Sequence, residues 1–250
     1  MDPNVLSRLL RGDVSQAVSE EMDPGDGMFK GDMRQYMSCG RDALFNVYLA
    51  LASARAPKPP ARILDFACGF GRVGRHFRAA FPEANLTFSD AMPTATAFCA
   101  KAFSGEDMPV KKDFSGYEPG PAFDLIWVGS LFTHLTEEAS KKLLKLLFGH
   151  LVNGGVLVFT SHGRYVRERR ALGAWPYAIN EDQYDVMIRD ADSKGYGFTG
   201  YGESTEYGIS LVTLGWWERA LAGIPDSEVV LLRERGWVRH QDVIAFKRTG

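Results

Sequence analysis

A doubly wound α/β fold built on a mostly parallel sheet is predicted from three observations: strand-like apolar runs alternate with helical patterns from Ile63 onward, closely spaced glycines follow the first run, and an acid ends each of the first two runs. The runs Ile63 to Phe66, Leu86 to Ser89, Phe123 to Val128 and Val156 to Thr160 read as strands. Helical patterns at Val73 to Ala80, Thr94 to Phe103 and Glu137 to Leu151 separate them. The last strand is apolar almost throughout, as expected where both faces of a parallel strand are covered.

Ahead of this module, residues 1 to about 55 carry amphipathic helical patterns, with Val5, Leu6, Leu9 and Leu10 on one short face and Ala43, Leu44, Val47, Tyr48 and Leu51 on another. Ala56-Pro-Lys-Pro-Pro60 ends any helix, because each proline removes a donor and restricts its predecessor. The division expected is therefore a helical extension over 1–58 and a main domain over 59–250. Within the main domain, Thr136 reads as the N-cap of a helix with Glu137 and Glu138 in its positive first turn and Leu143, Leu144, Leu147 and Leu151 on one face, stopped by Asn153-Gly-Gly155. The segment 161–213 is too long for a simple connection and is expected to be a cap. It carries Tyr165, Trp175, Tyr177, Tyr184, Tyr196, Tyr201 and Tyr207, which would either pack an added helix and hairpin or face a substrate.

Composition narrows the function classes. Among 250 residues, 45% are hydrophobic and the formal net charge is −2, so a sizeable core is possible but no field gathers phosphates. The only basic cluster is Arg164 to Arg170, and nucleic acid is not an expected partner. Cys39, Cys68 and Cys99 are odd in number and widely spaced, which suggests neither a disulfide framework nor a metal site and suits a reducing cytoplasm. Met1 to Glu20 lacks the apolar core of a signal peptide, and no run approaches a membrane span. A soluble cytoplasmic protein follows; oligomeric state leaves no mark.

The stretch Arg62-Ile-Leu-Asp-Phe-Ala-Cys-Gly-Phe-Gly-Arg72 carries the chemistry. Its glycines let backbone approach a ligand, and Asp65 stands at the carboxyl end of a strand, where such sheets open their ligand crevice. Two purine cofactors compete for this turn. Gly69-Phe-Gly-Arg-Val-Gly74 satisfies the G-x-G-x-x-G pattern of a nicotinamide dinucleotide site, and Asp90, about twenty residues on, suits the ribose of either cofactor. The upstream residues Asp65-Phe-Ala-Cys set a different frame, D-x-[GA]-x-G-x-G.

That frame resembles motif I of the class I S-adenosylmethionine-dependent methyltransferases. The resemblance extends over roughly Arg62 to Lys247. Asp90 matches the acid after the second strand, Asp113-Phe114 the pair near adenine, Phe123 to Val128 the fourth strand, and Asn153-Gly-Gly155 the turn before the fifth. Glu228 to Leu232 and Asp242 to Phe246, joined around Gly236-Trp237, are similar to the reversed hairpin that completes that family's seven-stranded, Rossmann-like sheet. The resemblance implies S-adenosylmethionine as cofactor, with Asp65, Ala67, Cys68, Gly69 and Gly71 around its methionine part, Asp90 at its ribose hydroxyls, Asp113 and Phe114 at its adenine, and Ala91, Met92, Gly129 and Ser130 completing the cofactor site.

Two departures matter. Ala67 stands where glycine is common, and its backbone is expected to keep negative φ. Gly129-Ser-Leu-Phe-Thr-His134 lacks the Asn/Asp-Pro-Pro-aromatic sequence of enzymes that methylate adenine, cytosine or glutamine amide nitrogens, which points away from those acceptors. His134 and His162 follow the fourth and fifth strands, and histidine's near-neutral pKa suits a general base. Their plain alternatives are a structural hydrogen bond for His134 and a solvated loop position for His162. Arg72 and Arg41 are candidate partners for the cofactor carboxylate, whereas His76, His150 and His240 read as surface or packing residues. The expected activity is O- or N-methylation of a small or sugar-like molecule. The alternatives are an NAD(P)-dependent oxidoreductase and a non-catalytic module that keeps the fold.

Overall fold

The computed structural model describes residues 16–118, 122–173 and 177–250. Val5 to Leu10 and Trp175 lie outside the described residues. Helix α1 (Met33–Ser53) starts at Asp32, whose carboxylate accepts from the amides of Arg34 and Gln35 at 2.9 and 3.1 Å. Its apolar face, Ala43, Leu44, Val47, Tyr48 and Leu51, is buried as its spacing requires.

The strands that follow are β1 (Arg62–Phe66), β2 (Asn85–Ser89), β3 (Glu106–Asp107), β4 (Phe123–Val128) and β5 (Leu151–Ser161), then β8 (Ser227–Trp237) and β9 (Gln241–Arg248) after the cap. They form one seven-stranded sheet in the order β3-β2-β1-β4-β5-β9-β8. The pairs from β3 to β5 are parallel, and β9 runs antiparallel to both β5 and β8.

Side-chain alternation sorts each apolar run between two cores. Ile63, Leu125, Trp127, Val156, Val158 and Ala245 face α1, α2 (Gly74–Ala80) and α3 (Pro93–Ala102). Leu64, Ile126, Val128, Leu157, Phe159 and Phe246 face α4 (Glu137–Gly149) and the later helix α7 (Leu214–Ala222). Burial on both faces is why these strands contain few polar residues.

Three expectations need correction. The helix α4 does begin at Thr136, which accepts from the Ala139 amide at 3.2 Å, but it ends at Gly149 rather than at Asn153-Gly-Gly155. Those three residues lie inside β5, where Gly154 takes φ +82° and the register with β4 shifts between Phe123 and Leu125. A glycine in the left-handed region makes a bulge as readily as a helix stop. Leu151 is consequently a strand residue paired with Phe123, not the last of the helical face. The hairpin between β8 and β9 turns over Val238 to His240, past Gly236-Trp237, because β8 continues to Trp237.

The 161–213 segment holds α5 (Arg164–Ala171), α6 (Glu181–Lys194) and an antiparallel pair, β6 (Tyr196–Gly200) and β7 (Gly208–Val212). Reciprocal bonds between Asn180 and Gln183 start α6, and Gly195 at φ +88° ends it. Two cap tyrosines are packing residues. Tyr184 donates to the Val166 carbonyl at 2.7 Å, and Tyr196 donates to the Leu135 carbonyl at 2.9 Å.

Candidate active site

The strand order reverses between β1 and β4, and this is where a doubly wound sheet opens at its carboxyl edge. A cleft of about 800 Å³ lies there. Asp65, Ala67, Cys68, Gly69, Asp90, Ala91, Met92, Phe114, Gly129, Ser130 and His134 all line it, so most of the sequence-derived candidates converge. Asp113, Gly71 and His162 are not among its lining residues.

The bend after β1 is held by its own backbone. Gly69 takes φ +51° with open space where a side chain would project, which leaves room for a ligand. Gly71, at φ +72°, serves packing instead, since a Cβ there would stand 2.3 Å from the Phe103 ring. Ala67 corrects an expectation: its φ is +59°, not negative. The turn needs a left-handed residue between β1 and the Cys68 amide, which donates to the Ser89 carbonyl at 3.1 Å, and alanine occupies that position at a cost of about 1–2 kcal/mol. Glycine would relieve this while losing about 0.5–1 kcal/mol to unfolded-state freedom. Ala67→Gly should therefore raise stability by up to about 1 kcal/mol, or roughly 2–4 °C in a thermal melt. A lower melting temperature would contradict this account.

Asp90 braces the same bend. Its two carboxylate oxygens accept from the amides of Gly69 at 2.9 Å and Met92 at 3.0 Å. Asp65 is buried, with Oδ2 unpaired among the described residues. Burial, and secondarily the charge of Asp90, push the Asp65 carboxyl up to about 8.

At the β3 side, Phe114 is buried with φ +60° and lines the cleft. The Asp113 carboxylate accepts from the Ser115 amide at 3.0 Å and faces solvent, and those bonds hold it below the usual carboxylate range.

At the β4 side, His134 is inserted between the sheet edge and the cap. Its Nδ1 is 2.7 Å from the Gly208 carbonyl, which makes Nδ1 the protonated nitrogen and leaves Nε2 basic. Its ring stacks on Tyr207 at 5.1 Å, and burial lowers its pKa. His162 departs from the solvated position considered for it. It is 2% exposed, with Nδ1 3.2 Å from the Ser210 carbonyl, and burial together with His240 lowers its pKa well below the ordinary value. His240 is likewise engaged, accepting from the Tyr177 hydroxyl at 2.6 Å. These two histidines meet beneath the cap, away from the cleft lining.

The sequence reading missed Asp26, Met28, Tyr36 and Trp237, which complete the cleft wall. Tyr36 donates to Asp26 at 2.6 Å, and the Trp237 indole donates to the Cys39 carbonyl at 2.9 Å. No local motif marks them, because they meet only through the docking of α1 on the reversed hairpin. Arg72 lines the cleft with its guanidinium 5.7 Å from the Trp237 ring centroid, whereas Arg41 does not reach the lining. Cys68 is buried with its thiol pushed up by burial, and its Sγ donates to the Gly69 carbonyl, which suits a turn filler better than a nucleophile.

Comparison with known proteins agrees with this geometry. Residues 63–155 match the methyltransferase domain family. A structure of an S-adenosylmethionine-dependent methyltransferase from Clostridium acetobutylicum ATCC 824 is similar over 99% of this chain and 97% of that one, at 14% identity and a TM-score of 0.57. CalS10, an amino pentose methyltransferase from Micromonospora echinaspora, is similar over 88% of this chain and 98% of its own, at 17% identity and a TM-score of 0.54. An O-methyltransferase family protein from Burkholderia thailandensis covers 99% and 69%, at 12% identity and 0.51. No curated protein matches by sequence. Residues 63–155 thus carry a methyltransferase domain, and the fold is that of S-adenosylmethionine-dependent methyltransferases, the cofactor class this domain implies. No helix among the described residues is long and apolar enough to cross a membrane.

Proposed function

We propose that this chain methylates a hydroxyl or amine on a small molecule, with the cofactor in the cleft between β1 and β4. The observation that carries this reading is the bend from Gly69 to Gly71 bracketed by two strand-end acids, Asp65 and Asp90, both of which line the cleft. These residues fit the cofactor: Gly69 leaves open space, Asp90 offers a carboxylate to ribose hydroxyls, Phe114 an apolar face to adenine, and Asp65 an anion to an ammonium. When bound, S-adenosylmethionine supplies a methyl group on a sulfonium that needs no further activation. The protein's contribution is orientation and exclusion of water, for which about 7–11 kcal/mol is available.

The acceptor side supports a small molecule. The cap residues Ser204, Glu206 and Tyr207 and the N-terminal Asp26 and Tyr36 line the same cleft. Similarity of fold to an amino pentose methyltransferase is in keeping with this size. His134 is the base: Nδ1–H is held by Gly208, so Nε2 accepts the acceptor's proton. His134→Ala should lower turnover by about 10²-fold or more while cofactor affinity stays within about twofold. Because burial lowers its pKa, the acid limb of the rate profile should fall below about 6.5. Unchanged turnover across pH removes His134 from this role.

Thermal shift with S-adenosylhomocysteine against NADH tests the cofactor. The true ligand at a hundred times its Kd stabilises by about 2.7 kcal/mol, and stabilisation by NADH alone would overturn the reading. Proton linkage provides a further check. A carboxyl raised in the folded state binds its proton more tightly there than in the unfolded chain, whose value is about 3.9, so ligand-free stability should fall as pH rises from about 4 through 8. An ammonium paired with Asp65 favours the ionised form. Binding of S-adenosylhomocysteine near pH 7 should then release a proton, seen as a buffer-dependent enthalpy in calorimetry, and Asp65→Asn should abolish that release. Identical enthalpies in phosphate and Tris would rule out the pairing.

A further inference from the structure

A closed ring of three hydrogen bonds lies beneath the floor of the cleft, across the tips of β4, β5 and β9. The Ser130 amide donates to Thr160 Oγ1 at 2.7 Å, the Thr160 hydroxyl donates to Gln241 Oε1 at 2.6 Å, and Gln241 Nε2 donates to Ser130 Oγ at 2.9 Å. Thr160 and Gln241 are buried, and Ser130 is partly exposed with φ +60°.

The directions in this ring are fixed by counting donors. Thr160 Oγ1 accepts from Ser130, so its single proton needs an acceptor, and the buried neighbour that can supply one is Gln241 Oε1. That choice turns the amide nitrogen of Gln241 toward Ser130, whose oxygen thereby receives a proton. The Ser130 hydroxyl must direct its own proton elsewhere. No protein acceptor for it exists among the described residues, and Ser130 lines the cleft.

We propose that Gln241 is a positioning residue that makes Ser130 a hydrogen-bond donor to the carboxylate at the amino-acid end of the bound cofactor. This rests on the cofactor reading above. The sheet order supports the choice of that end: along the carboxyl edge come Phe114 after β3, Asp90 after β2, the glycine bend after β1 and then Ser130 after β4. With adenine and ribose at the first two, the amino-acid part extends across β1 toward β4. Ser130 is adjacent to that bend, because Val128, two residues before it, pairs with Phe66. Holding a serine in the left-handed region is costly, and the ring is what retains it.

Calorimetry with two probes tests the proposal. S-adenosylhomocysteine has the carboxylate, and 5′-methylthioadenosine lacks the whole amino-acid end. Ser130→Ala and Gln241→Met should each weaken S-adenosylhomocysteine binding by about tenfold or more, and the double variant should be no weaker than the worse single one. Affinity for 5′-methylthioadenosine should stay within about twofold in all three. Ser130→Ala removes only a partly exposed hydroxyl and carries the test alone should Gln241→Met not fold. Unchanged S-adenosylhomocysteine affinity in Ser130→Ala, or equal losses for both probes, overturns the proposal and leaves the cofactor reading intact. A wild-type protein that binds neither probe overturns both.

Discussion

Asp90→Ala should weaken S-adenosylhomocysteine binding by about 10- to 150-fold, the range that follows from about 1.5–3 kcal/mol for hydrogen bonds to a charged group. Two losses combine in this variant. The carboxylate that would receive the ribose hydroxyls is gone, and the Gly69 and Met92 amides lose the acceptor that shapes the bend. Asp90→Asn separates them, because an amide oxygen can still accept one backbone bond but carries no charge. Its melting temperature should lie between those of wild type and Asp90→Ala, because one of the two backbone bonds is kept, and it should still lose about tenfold in affinity. Asp65 supplies an internal control. Asp90 is a secondary cause of its raised pKa, so either substitution should bring the Asp65 carboxyl down and reduce the proton released on binding near pH 7. Affinity unchanged in both variants would remove Asp90 from the ribose contact and with it the main support for how the cleft is filled.

The elements around Asp65 and Asp90 were legible because their signals are local: an apolar run, an acid and glycines within eleven residues dictate a strand, a bend and a helix whatever the rest of the chain does. Where a side chain depends on what packs over it, the sequence was silent. Asp113 and Phe114 are consecutive, and only the turn that gives the Asp113 carboxylate to Ser115 decides that Phe114 faces the cleft. His134 and His162 stand at equivalent strand ends. They differ because β7, a strand of the cap, presents the Gly208 carbonyl to one ring and the Ser210 carbonyl to the other, and His162 is buried away from the cleft. Ala67 illustrates the reverse case. An intrinsic preference for negative φ favours the other region, and the hydrogen bond from the Cys68 amide to the Ser89 carbonyl of β2 overrode it. Gln241 left no signal at all, since its partners lie 81 and 111 residues away.

Arg75 was passed over for the same reason, and it should be the most costly single side chain of the site region to remove. It is 1% exposed and has no carboxylate partner among the described residues. Its guanidinium donates to four backbone carbonyls, Gly71 at 3.0 Å, Phe70 at 3.3 Å, Ser19 at 2.9 Å and Glu21 at 3.0 Å, and lies 5.1 Å from the centroids of both Tyr36 and Phe103. One side chain thus joins the glycine bend to the N-terminal segment that delivers Asp26 and Met28 to the cleft wall. Arg75→Met keeps the apolar stem and leaves those carbonyls without their donor, at a cost of roughly 3–4 kcal/mol. In a chain of this size that corresponds to a fall of roughly 6–15 °C in melting temperature. Arg75→Lys should fall between, since a single ammonium cannot span carbonyls on both segments in the fixed fork of a guanidinium. The consequence for the site is specific: protease should cut near Ser19 to Glu21 sooner in Arg75→Met than in wild type, at a temperature where both remain folded. Equal cleavage rates would mean that the segment is held by its other contacts, chiefly the Tyr36 to Asp26 bond and the Gln16 amide donating to the Ala79 carbonyl, and that Arg75 stabilises the glycine bend alone.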